Sequence, residues 1–129
     1  MTILIADDDR VLTGVLTARL KKGGFKVVVA FDAMQAIMAA LRNPPAAVLL
    51  DVNMSGGTGL QVLRQLRSST SPSQVPIIVV SGSLDPETEK KVRELGADDY
   101  VRKPPDCDQL LDKVRQLVKQ PDDGARPVV

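Results

Sequence analysis

Four short apolar runs rich in Val, Ile and Leu constrain this chain more than any other feature, at residues 3–6, 27–31, 46–50 and 77–80. Runs this short, with no polar alternation, read as strands buried on both faces, and strands of that kind belong to parallel sheets covered by helices. A weaker fifth run, Tyr100 and Val101 between Asp99 and Arg102, has polar flanks and suits a sheet edge. Parallel strands cannot be joined by tight turns, so the intervening segments must be crossovers long enough to hold a helix.

The intervening segments have helical spacing. The first carries Val11, Leu12, Val15, Leu16 and Leu20 on one stripe and stops at Gly23-Gly24. The second opens at Asp32, with Gln35 three residues on, and ends before Pro44-Pro45. A third, marked by Leu60, Leu63 and Leu66, opens with Thr58 as its cap. Asp85 followed by Pro86 is an N-cap with proline at the first helical position, and the helix behind it has a thin apolar stripe, mainly Val92 and Leu95. The fifth starts around Asp106 and repeats Leu110, Leu111, Val114, Leu117 and Val118. Five βα units joined by right-handed crossovers give an α/β fold, a doubly wound five-stranded parallel sheet with five helices on its two faces. A (β/α)₈ barrel needs three more strands than the chain supplies.

Composition removes several function classes. The chain has 129 residues, with 17 Lys and Arg against 16 Asp and Glu, a formal charge of +1, and no histidine. One domain is expected over residues 1–120, with 121–129 as a tail or the start of a linker. Zinc sites and His-based triads lose most of their ligands without imidazole. A balanced charge and 2% aromatic residues argue against nucleic-acid binding. The longest apolar run has six residues (36–41), far below the ~20 that span a bilayer. The first seven residues carry no basic side chain and do not read as a secretory signal, so a cytoplasmic location is expected. The lone Cys107 cannot pair within the chain.

In open parallel sheets ligands bind at the carboxyl ends of the strands. Here strand one runs into Asp7-Asp8-Asp9, strand three into Asp51, strand four into Ser81 and strand five into Lys103-Pro104. If Asp7, Asp8 and Asp51 converge, each pair about 4 Å apart repels by roughly 4 kcal/mol at an effective dielectric near 20. Three such pairs approach the roughly 5–15 kcal/mol that holds a domain together, so the cluster needs a cation, and Mg²⁺ suits carboxylates, carbonyls and phosphate oxygens. A plainer reading stays open, in which the triplet only caps the first helix. Singly, Ser81 reads as a loop residue and Lys103 as one solvated lysine among many; arriving together beside such a site, the hydroxyl and the ammonium look like a cradle for a phosphoryl group, with Asp51 as the nucleophile.

These residues, spread over four strand ends, resemble the receiver domains of two-component response regulators, of the single-domain chemotaxis type, over about residues 2–119. The resemblance implies the flavodoxin-like strand order 2-1-3-4-5. It implies Asp51 as phosphoacceptor, with Asp8 touching Mg²⁺ directly, Asp7 through water, and Asn53 supplying its backbone carbonyl. Ser81 then matches the hydroxyl that swings toward the phosphoryl group, Lys103 the family lysine with a cis bond to Pro104, and Tyr100 the aromatic switch. Asn53 and Ser83 fall where the family tunes hydrolysis of the acyl phosphate. The implied partners are a sensor histidine kinase or phosphotransfer protein and a downstream effector bound through the helix 4, strand 5 and helix 5 face. The implied chemistry is limited to the domain's own phosphorylation and dephosphorylation.

The sequence departs from the family in two places. Where Met-Pro-x-x-Asp-Gly is usual after the phosphoacceptor, it reads Met54-Ser55-Gly56-Gly57-Thr58-Gly59, which frees the backbone of that loop. Pro105 replaces a common Phe. Two other functions stay open: an interaction module of the same fold that is not phosphorylated, and a small phosphatase of the haloacid-dehalogenase type, for which Asp7 and Asp9 have the Asp-x-Asp spacing but no cap insertion follows. Flavin and dinucleotide sites fail for want of a Ser/Thr-rich or glycine-rich first loop.

Overall fold

The computed structural model of the chain describes residues 1–54, 59–68, 75–82 and 85–118. Strand and helix alternate without exception: β1 (Thr2–Ala6), α1 (Arg10–Lys22), β2 (Lys26–Ala30), α2 (Ala33–Arg42), β3 (Ala47–Leu50), α3 (Gly59–Ser68), β4 (Ile77–Ser81), α4 (Pro86–Glu94), β5 (Asp99–Arg102) and α5 (Cys107–Val118). The five strands are parallel in the order β2-β1-β3-β4-β5, as the resemblance implied.

Side chains of a strand alternate between faces, so the three central strands build two cores at once. Leu4, Val48, Leu50, Ile77 and Val79 pack with α2, α3 and Val92 of α4. Ile3, Ile5, Leu49, Ile78 and Val80 pack with Leu16 and Leu20 of α1 and Leu110, Val114 and Val118 of α5. The caps follow the sequence: Asp85 Oδ1 accepts from the Thr88 amide at 2.7 Å with Pro86 behind it, and Asp106 Oδ1 accepts from Asp108 and Gln109.

Three expectations are corrected. β2 is the edge strand that the order 2-1-3-4-5 implies, but Lys26 and Val28 are exposed, so the run at 27–31 is not buried on both faces. Val11 and Val15 of α1 are exposed, because the inward stripe is carried by Leu12, Leu16, Leu20 and the buried Thr13, and the two valines fall on its flank. At α2, Asp32 Oδ1 does accept from the Gln35 amide, but Gln35 Oε1 takes the Phe31 amide rather than that of Asp32, one residue further back than a capping box places it. The Thr58 cap and the tail 121–129 lie outside the described residues.

A clip centred on Arg67 has no counterpart in any sequence pattern. Its Nε donates to Gly96 O at 2.9 Å, Nη1 to Val75 O at 2.7 Å and Nη2 to Asp98 Oδ2 at 2.9 Å, and that carboxylate oxygen also accepts the Ile77 amide at 2.8 Å. One guanidinium therefore ties the end of α3 to the start of β4 and to the turn before β5. Gly96 is required there twice, by its φ of +108° and because a Cβ would stand 2.8 Å from Arg67 Nε. On the far edge, Lys113 Nζ bonds Asp99 Oδ2 at 2.8 Å. Partial burial pushes the Asp99 carboxyl upward, but bonds from Lys113 and the Tyr100 amide, with the Lys113 and Arg93 charges, outweigh it and hold Asp99 below the usual 3.8.

Arg67→Ala strands two carbonyls and a carboxylate, and is expected to cost about 2 kcal/mol in urea unfolding, with Arg67→Lys recovering less than half. Asp99 is depressed in the folded state, so its contribution is present above pH 3.8 and lost as the pH falls through the folded value. Asp99→Asn is accordingly expected to lower stability by a few tenths to about 1 kcal/mol at pH 6, with the gap to wild type closing at pH 3.

Candidate functional site

Strand register assembles the site. Ala6 pairs with Leu50, and Asp51 N donates to Ala6 O at 2.9 Å, so Asp7 and Asp51 leave adjacent strands side by side. Asp7 N in turn donates to Ala30 O at 3.0 Å. Both carboxylates are buried, 3% and 4% exposed, and with Asp8 each offers an oxygen within 4.8 Å of the others. Asp9 is apart from this group: its Oδ1 accepts from the Val11 and Leu12 amides at 3.0 Å and caps α1. One acid of the triplet does the capping, which leaves Asp7 and Asp8 to the cluster. The same bonds hold Asp9 on the helix, where the second Asp of a dehalogenase-type pair would have to act as acid or base.

The cation comes from β5. Ser81 pairs with Arg102, Lys103 N donates to Ser81 O at 3.0 Å, and Lys103 then turns over the acids, its Nζ 2.9 Å from Asp7 Oδ2 and 3.3 Å from Asp51 Oδ2. The Lys103-Pro104 bond is cis, as the resemblance implied. Three carboxylates and one ammonium leave a formal −3 + 1 = −2. Burial pushes the Asp7 carboxyl up, and the Asp51 charge adds to that, so it stands above its ordinary value despite bonds from Lys103 and the Asp9 amide. Burial pulls the Lys103 ammonium down, but its bond to Asp7 and the charges of Asp51 and Asp7 outweigh burial and its pKa is raised. Lys103 offsets part of the crowding and leaves room for a further cation.

The donors fit a hard divalent ion. They are all oxygens, and an octahedral Mg²⁺ with bonds of about 2.0–2.1 Å holds opposite oxygens roughly 4 Å apart. A separation within 4.8 Å closes to that with small side-chain rotations.

The remaining expected residues fall around this centre. Asn53 N donates to Asp51 Oδ1 at 3.0 Å, fixing that carboxylate, while Asn53 Nδ2 donates to Ser81 Oγ at 3.1 Å. Ser81 is fully buried and is the last residue of β4, not the first beyond it. Tyr100 packs against the core with its hydroxyl buried and without a partner among the described residues, and burial raises its pKa. Ser83 and the loop residues 55–58 lie outside the described residues. Pro105 lines a shallow pocket with Asp9, Leu12, Lys103 and Pro104. Gly59 was not read as part of the site, yet a Cβ there would stand 2.3 Å from Asp51 O and 2.4 Å from Val52 Cα. Only glycine lets the start of α3 lie on the backbone that carries Asp51, and its amide reaches Val52 O at 3.1 Å.

Comparison with known proteins agrees with this geometry. The family model described as response regulator receiver domain matches residues 3–115. The response regulator MprA of Mycobacterium leprae is 37% identical over 130 residues, covering 99% of this chain and 56% of that protein. The DNA-binding response regulator MtrA of Mycolicibacterium paratuberculosis is 37% identical over 121 residues, 94% of this chain and 52% of its own length. The chain thus spans about half the length of these relatives. Among solved structures, the receiver domain of the sensor histidine kinase PA1611 from Pseudomonas aeruginosa PAO1 superposes with a TM-score of 0.85 at 25% identity, over 92% of this chain and 98% of that one, and that structure holds a magnesium ion in its active site cleft. The chain belongs to the receiver domains of two-component response regulators.

Proposed function

We propose that this chain accepts a phosphoryl group on Asp51 from a phosphohistidine donor, a sensor histidine kinase or a phosphotransfer protein, and changes its binding surface in response. The observation that carries this reading is the Asp51 carboxylate itself: buried, fixed on one oxygen by the Asn53 amide, and facing Lys103 with Asp7 and Asp8 alongside. An Asp51 oxygen attacks phosphorus, the bond to the donor imidazole breaks, and an acyl phosphate forms with the imidazole as leaving group.

Asp8, Asp7, Asp51 and the Asn53 carbonyl are the groups that would hold Mg²⁺, which when bound neutralises charge on the phosphoryl oxygens. Lys103 loses part of its hold on Asp51 as that carboxylate is converted to the acyl phosphate, and passes to a phosphoryl oxygen. Ser81 gives up its bond with Asn53 and donates to another. That change runs along the end of β4 toward Tyr100 and alters the face of α4, β5 and α5, where a downstream effector binds. Asn53 and Ser83 govern how water reaches the acyl phosphate. Residues 1–120 form this receiver unit, whose own surface makes no direct nucleic-acid contact, and the exposed helices carry no span able to cross a membrane among the described residues.

Incubation with acetyl phosphate and Mg²⁺ is expected to add one phosphoryl group to the intact mass of wild type and none to Asp51→Asn. An adduct persisting in that variant overturns the nucleophile assignment, and no adduct on wild type supports an interaction module instead. Asp7→Asn removes one charge from the crowded cluster. It is expected to raise the metal-free thermal midpoint by about 4 °C, roughly 1 kcal/mol, while lowering Mg²⁺ affinity at least tenfold in a fluorescence or NMR titration. A lower midpoint for Asp7→Asn would show that its pairing with Lys103 outweighs the repulsion.

A further inference from the structure

Helix α2 presents an apolar face to solvent. Met34 is 66% exposed, Met38 48% and Leu41 45%, while its inward positions Ala33, Ala36 and Ala40 are already buried against the sheet. A helix apolar on both sides has a second surface to cover. The exposed residues follow one another by four and then three positions, the spacing of a seam between two packed helices. Between Asp32 and Arg42 the helix has no charged residue, and these two opposite charges stand at its two ends, about 15 Å apart along the axis. Both also border the shallow groove that Met34, Gln35, Met38, Ala39 and Val29 line beside the helix.

We propose that two copies of this chain associate through α2, packed antiparallel about a two-fold axis passing near Met38. Antiparallel pairing sets Met34 of one copy against Leu41 of the other and Met38 against its counterpart. It also brings Arg42 of each copy to Asp32 of the other. Asp32 uses Oδ1 on the Gln35 amide, which leaves its second oxygen to accept from a guanidinium. Parallel pairing would bring like charges together at both ends. The charges therefore select both the partner, a second copy, and its direction, as an isologous interface requires. The interface is small, so the dimer is weak, with a dissociation constant on the order of 10–100 µM. The inference is independent of phosphorylation at Asp51.

The experiment is sedimentation equilibrium of the 129-residue chain up to about 1 mM. The expected result is a concentration-dependent shift from 13.9 kDa toward twice that mass, weakened at least tenfold by Met38→Glu and by Arg42→Asp, with thermal midpoints unchanged because both side chains are exposed. In a Cys107→Ser background, Met38→Cys is expected to form a disulfide-linked dimer when oxidised glutathione is added as the electron acceptor. Met34→Cys and Leu41→Cys should cross-link when mixed and far more slowly apart. A monomer at every concentration, a dimer indifferent to Met38→Glu, or Met34→Cys cross-linking to itself as fast as the mixture would each overturn the proposal.

Discussion

The structure turns on two buried carboxylates placed side by side by adjacent parallel strands and held by one ammonium from a third. Asp7 and Asp51 are both inside the protein, and burying either alone would cost several kcal/mol. Lys103 reaches both, while the Asp9 and Asn53 amides each bond one of their oxygens. Asp7, Asp8, Asp51 and Lys103 together carry a formal −3 + 1 = −2. A cluster left that way accepts further positive charge and, through its basic member, phosphoryl oxygens. The fold makes this possible at little cost in backbone strain: no non-glycine residue among those described has a positive φ.

What was legible in the sequence follows from what is local. Strands β1, β3 and β4 are buried on both faces, so their apolar runs announce themselves, and β2 was misread because Val27 to Val29 look the same whether a strand has one neighbour or two. Exposure of Val28 is decided by sheet order, which no window of residues contains. The acids and Lys103 were legible because a parallel sheet sends every strand end to one rim. Which member of Asp7-Asp8-Asp9 caps α1 was not, since the three are neighbours and only the direction of the backbone turn assigns Asp9 to the helix amides. The Arg67 clip and the demand for glycine at position 59 depend on contacts made after α3 has docked, and a lone Arg or Gly carries no periodic signal of them.

The coupling proposed between the site and the far edge of the sheet would have a short path. Val79 pairs with Tyr100 and Ser81 with Arg102, so the hydroxyl bonded to Asn53 and the ring of Tyr100 sit two rungs apart on neighbouring strands. Helix α4 follows β4, and Val92 alone of its residues is fully buried, leaving it anchored by less apolar contact than α3 or α5. An element held this lightly is the one that a small change at the end of β4 displaces at least cost. Tyr100, beside it on β5, keeps a buried hydroxyl without a partner among the described residues, which suits the switch role proposed for it.

The two outward helix faces on that side of the sheet differ in a way that separates their uses. Helix α4 shows Glu87, Glu89, Lys90, Lys91, Arg93 and Glu94 to solvent, a mixed charged surface whose contacts depend on its position over β4 and β5. Helix α2 packs on β1 and β2, away from that path, and its outer face is methionine and leucine between two terminal charges. Under the switch proposed above, the path from Ser81 toward β5 lies away from α2, so association through α2 and recognition through α4 would not compete on one molecule. A dimer built on α2 would hold two acidic rims and two α4 faces at a fixed spacing, and a partner that is itself two-fold would bind both at an affinity one site could not supply.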